Sequence, residues 1–78
     1  LTAVLSEEGE IYIEGEEAGL NELMDTLREI EENDPGRRIR LDTDENTPFY
    51  RLVEVLDALS FRNLSNVGVR TYHEDYDN

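Results

Sequence analysis

Residues 37–59 read RRIRLDTDENTPFYRLVEVLDAL, and two hydrophobic periods meet inside them. Before the join, Ile39, Leu41 and Thr43 alternate with Arg38, Arg40 and Asp42, the pattern of a strand buried on one face. After it, Phe49, Leu52, Val53, Leu56 and Leu59 recur at helical spacing. Thr47 offers a hydroxyl able to cap a helix, and Pro48 at the first helical position gives up no needed donor. Asn63 stands where a left-handed C-terminal cap belongs, with Leu64 placed for its hydrophobic contact. Residues 66–72, NVGVRTY, alternate again: Val67, Val69 and Thr71 inward, Gly68, Arg70 and Tyr72 outward. Strand, helix and strand over 37–72 predict a right-handed crossover between parallel strands.

The chain upstream completes the plan. LTAVL (1–5) and IYIEG (11–15) flank SEEGE (6–10), a turn centred on Gly9, and together predict a hairpin. Residues 15–19 are expected to be a loop. Leu20, Leu23, Met24, Leu27 and Ile30 then form one stripe of an amphipathic helix that NDPG (33–36) should stop, because Pro35 disfavours a helical Asp34. The predicted fold is α+β, a two-layer α/β sandwich of order ββαβαβ with two helices packed on one face of a mixed sheet. Strict alternation in the strands implies that the other sheet face is uncovered. Residues 1–72 are expected to make one domain, and 73–78, HEDYDN, an acidic tail.

Composition narrows the function. Twenty acidic residues face seven basic ones, all of them arginine, for a net charge of −13. Such a field repels phosphate backbones and anionic lipid, which argues against nucleic-acid and membrane-surface binding. Lysine-free acidity suits a protein of concentrated salt; an ordinary acidic surface is the alternative. With no cysteine there is neither a disulfide framework nor a zinc-thiolate site. No run approaches the ~20 apolar residues of a membrane span. The chain starts at Leu1 rather than Met, as expected of a piece of a longer protein.

Candidate sites are few. Asp42, Asp44 and Asn46 alternate as a calcium loop begins, but the sixth and twelfth positions of that loop are Thr47 and Val53, not Gly and Glu. No metal or cofactor is expected. His73 is the only histidine, beside the acidic tail, and no nucleophile–base pair is evident. The uncovered sheet face is the stronger candidate: Tyr12, Arg38, Arg40, Arg70 and Tyr72 all point to it by alternation. Arg and Tyr favour docking surfaces. The alternative is that these arginines neutralise Asp42 and Glu14 across strands. Strand addition at an exposed edge is a second docking mode.

The order of these segments resembles the periplasmic domain of the ExbD/TolR family over nearly the whole chain. The opening hairpin with Gly9 and Gly15, the strand ending in Asp44, and TPFYRLVEVLDALSFRNLSNVGVRT (47–71) carry the likeness. Asp44, Pro48, Asp57, Val67 and Gly68 stand where the family has the same residue types. Phe49 occupies a position usually held by Tyr, and Asn63 one usually held by Gly. The resemblance implies a non-catalytic periplasmic coupling domain of a proton-driven complex, acting as a homodimer that engages a TonB- or TolA-like transducer for outer-membrane transport. It also implies an ExbB/TolQ-like membrane partner, met through a transmembrane helix outside this chain. A dimerisation and peptidoglycan-contacting module, as in the Tol branch, is the alternative it leaves open.

Overall fold

The computed structural model describes residues 1–60 and 63–72. The expected tail, 73–78 with His73, lies outside the described residues, as do Phe61 and Arg62. Seven elements follow one another: β1 (Thr2–Leu5), β2 (Ile11–Ile13), β3 (Glu16–Ala18), α1 (Leu20–Asn33), β4 (Ile39–Asp44), α2 (Phe49–Ser60) and β5 (Val67–Tyr72). The strands form one sheet in the order β3-β2-β1-β4-β5. β1, β2 and β3 pair antiparallel; β4 runs parallel to both β1 and β5. The sheet is therefore mixed, and α2 crosses between the parallel neighbours β4 and β5.

Both helices cover the same sheet face. Leu23, Leu27 and Ile30 of α1 and Val55 and Ala58 of α2 share one core with Ala3, Leu5, Ile11, Ile39 and Leu41. Each of these side chains is under a tenth exposed. Fully burying one Leu or Ile contributes about 1.5–3 kcal/mol, so this cluster is what holds helices to sheet. The α1 stripe is as its spacing predicts, with Leu20 and Met24 at its margin. Its start is secured by Glu22, whose Oε1 accepts the Gly19 N–H at 2.8 Å. Its end is the turn in which the Arg37 N–H donates to the Asp34 carbonyl at 3.0 Å.

Four expectations need correction. Residues 16–18 are a strand, not part of a loop: Glu14 (φ 52°) and Gly15 (φ 87°) form a two-residue turn with both φ values positive, the geometry that matches hairpin twist. Glu-Glu-Ala carries no apolar alternation, so periodicity had nothing to detect there. The α2 stripe is also turned in part: Leu52 and Leu59 pack against the core as expected, but Phe49, Val53 and Leu56 do not. Val55 and Ala58 are the buried residues, while Phe49 is 76% exposed and Val53 and Leu56 over a third exposed. The helix has more apolar surface than its core contact uses. Third, Val67 and Val69 do face the helix side, in register with Ile39 and Leu41. β5 is the sheet edge, however, and α2 leaves them 37% and 49% exposed. Finally, the Thr47 hydroxyl reaches back to β1, donating to the Ser6 carbonyl at 2.8 Å and more loosely to that of Leu5 at 3.4 Å.

Candidate functional site

The bare sheet face is organised by register. Glu17, Tyr12, Val4, Asp42 and Arg70 are successive cross-strand partners, one from each strand. Asp42 is the centre of charge in that row. Arg40, two residues before it on β4, donates through Nε at 3.2 Å and Nη2 at 3.1 Å. Arg70, opposite it on β5, donates through Nε at 2.9 Å and Nη2 at 3.5 Å. The carboxylate is buried while both guanidiniums stay partly in water. Burial alone raises the Asp42 carboxyl; the hydrogen bonds and charges of Arg70 and Arg40 outweigh it and hold the group below its ordinary range.

The other predicted docking residues lie around this pair. Tyr12 donates its hydroxyl to Glu10 Oε1 at 3.0 Å, and that bond to a carboxylate raises the phenol. Tyr72 ends β5 opposite Asp44 and, with Tyr12 and Val4, lines a cleft of about 420 Å³ walled by Glu7, Glu8 and Glu10. Arg38 is exposed just before β4, where its carbonyl accepts the Leu1 ammonium at 2.8 Å. Arg40 and Arg70 thus meet each other at Asp42, whereas Arg38 and Tyr12 stand apart from them. Among the described residues no arginine pairs with Glu14; its Oε2 accepts the Thr2 N–H at 3.2 Å.

Several of the motif positions have structural work. Gly9 turns the β1–β2 connection at φ 87°, and its carbonyl accepts from Arg51 Nε at 2.8 Å. Asp44 is buried at the end of β4, where Oδ1 accepts the Asn46 N–H at 2.8 Å and starts the turn into α2. The Asn63 N–H donates to Glu31 at 2.8 Å, tying the chain after α2 to α1. Asp57 and Phe49 are exposed on α2, and nothing in the surroundings of Gly68 requires glycine.

Two surfaces escaped the sequence reading. One is a shallow apolar groove of about 410 Å³ between α2 and β5, lined by Leu56, Leu59, Leu64, Val67 and Val69. The surplus stripe of α2 was its only trace. The other is an acidic groove of about 690 Å³ beside β3, where Glu8, Glu10, Glu17 and Glu22 meet Tyr50 and Arg51. It depends on the strand that periodicity did not show.

A mixed sheet with one face layered by two helices defines an α+β fold whose open surface, among the described residues, is the other sheet face and two edges. The family model for "Biopolymer transport protein ExbD/TolR" matches residues 1–74. The chain belongs to the ExbD/TolR family. That family serves energy coupling in biopolymer transport, and its members are inner-membrane-anchored proteins with a periplasmic domain. No described helix is long and apolar enough to cross a membrane. Among curated proteins, none matches the chain by sequence.

Proposed function

We propose that this chain is the non-catalytic periplasmic coupling domain of its parent protein, acting as a homodimer that engages a TonB- or TolA-like transducer. Family membership supports the coupling role. The groove between α2 and β5 supports the dimer and is the observation that carries it. There a six-residue strand edge adjoins Val67, Val69 and Leu56, all more than a third exposed. An edge offers unpaired backbone groups to an added strand, and the valines and leucine offer the apolar surface that a stable interface buries. The one arginine of this edge, Arg70, is already paired with Asp42, so the joint need not bury an uncompensated charge.

Sedimentation of the chain and of a Leu56→Arg, Val69→Arg double variant tests the dimer. The wild type is expected to sediment as a dimer at micromolar concentration and the variant as a monomer with an unchanged circular dichroism spectrum. A monomeric wild type would remove the homodimer. Pull-down by the periplasmic segment of a candidate transducer, against pull-down by peptidoglycan, tests the coupling role. Retention on peptidoglycan alone would replace transducer engagement with wall contact.

A further inference from the structure

The sheet's two edges differ in charge. β5 presents valines and a neutralised arginine, whereas β3 presents Glu16 and Glu17, both exposed. We propose that the β3 edge and the groove beside it dock an extended, lysine- or arginine-bearing segment of a partner polypeptide, which joins the sheet as a sixth strand. The inference rests on reading the chain as a partner-engaging coupling domain.

Backbone geometry supplies the attachment point. Across the two-residue Glu14–Gly15 turn, Ile13 and Glu16 are the hydrogen-bonded pair, and Ile11 with Ala18 is the next one. Glu17, opposite Tyr12, falls between them. Its N–H and C=O therefore point away from β2, toward whatever lies alongside the edge. A three-residue edge offers few such groups, so side chains have to supply the rest of the affinity.

Charge chooses the occupant. The groove sets four carboxylates, Glu8, Glu10, Glu17 and Glu22, against the guanidinium of Arg51. Arg51 is already engaged by the Gly9 carbonyl and by Glu54 at 2.8 Å. A strand with alternating cations can set one opposite Glu17, on the face that Glu17 shares with Tyr12, where opposite charges stabilise. Tyr50, 68% exposed on the groove wall, offers a ring to a further cation. The β3 edge of a second copy is the wrong occupant, because it would set Glu16 and Glu17 against the same two residues. Short charged edges commonly guard against aggregation. Here that guard is selective by sign, since it turns away acidic strands and admits basic ones. Few backbone bonds and exposed charges make a weak, fast and salt-sensitive contact, fitting a joint that has to form and release.

The test is a ¹H–¹⁵N NMR titration of the chain with a ten-residue peptide alternating lysine and valine, beside the same peptide with glutamate for lysine. The lysine peptide is expected to shift the amides of Glu16, Glu17, Ala18 and Tyr50, with Kd rising at least tenfold from dilute to half-molar salt. The glutamate peptide is expected to leave the spectrum unchanged. Glu17→Gln, which keeps the N–H, should weaken binding about threefold, and Glu17→Pro, which removes an outward donor, about tenfold. If Glu17→Pro unfolds the hairpin, lysine peptides N-methylated at odd or at even residues replace it, and one of the two phases should abolish binding. Equal binding of the glutamate peptide, indifference to both methylation phases, or shifts confined to β5 or to the Tyr12–Arg70 face would overturn the proposal. Those outcomes leave the coupling reading standing, because transducer pull-down tests it separately.

Discussion

Asp42 holds two guanidiniums on one buried carboxylate, and the row it anchors joins β4 to the edge strand β5. Alternation in the sequence already put Arg40, Asp42 and Arg70 on one face. Which arginine meets which acid depended on the β4–β5 register, and periodicity says nothing about register between strands 28 residues apart. The pairing makes a specific claim about pH. A carboxyl depressed below its ordinary 3.8 in the folded state stabilises the fold above that value, and the contribution disappears as pH falls through the lower folded value. Asp42→Asn should therefore lower stability at neutral pH. The two arginines are 40% and 61% exposed, so solvent screens the pair, and the expected loss is about 1–2 kcal/mol, below that of a fully buried bridge. Urea melts of wild type and variant across pH 7 to 2 check this. The gap between them should be widest at neutral pH and close toward the acid end; a gap independent of pH would mean that Asp42 contributes packing alone.

Among the elements, α1 and the β4–α2–β5 crossover were legible because each has a strong apolar period and an explicit stop or start. β3 was not. Its existence rests on two residues, Glu14 and Gly15, that take positive φ, and on three residues with no hydrophobic face. The rotation of α2 was hidden for the opposite reason: the helix carries apolar residues around more than one stripe, so spacing alone could not say which one meets the sheet. The candidate surfaces inherit both gaps, since the acidic groove needs β3 and the apolar groove needs the outer stripe of α2. The hairpin can be tested through its turn. At Gly15 an added Cβ would meet nothing within 4 Å, so any cost of Gly15→Ala is conformational, about 1–2 kcal/mol at φ 87°. Gly15→Asn should recover much of that loss, because Asn tolerates the left-handed region. Thermal melts of the two variants decide it; equal stability of Ala and wild type would mean that the turn relaxes to another geometry.

At the scale of the whole molecule, the core and the charge pull in opposite directions. The buried cluster draws two helices onto one sheet face, while a net −13 on 78 residues pushes the surface apart. Arginine relieves little of this. Among the described residues Arg28 pairs with Asp25, Arg51 with Glu54, and Arg40 and Arg70 both with Asp42, and in the whole chain seven arginines face twenty acidic residues. Mobile cations must do the rest, and their effect should appear as a rising melting temperature in potassium chloride. Two forms of that rise separate the alternatives that composition leaves open. If the acidity is an ordinary surface, screening is sufficient. The Debye length is about 10 Å at 0.1 M and about 3 Å at 1 M, so the gain should be nearly complete by roughly half-molar salt. If the lysine-free composition is fitted to concentrated salt, stability should go on climbing well beyond 1 M. A melting temperature that stays flat from dilute to molar salt would contradict both, and would mean that the carboxylates are spread widely enough for self-repulsion not to oppose the fold.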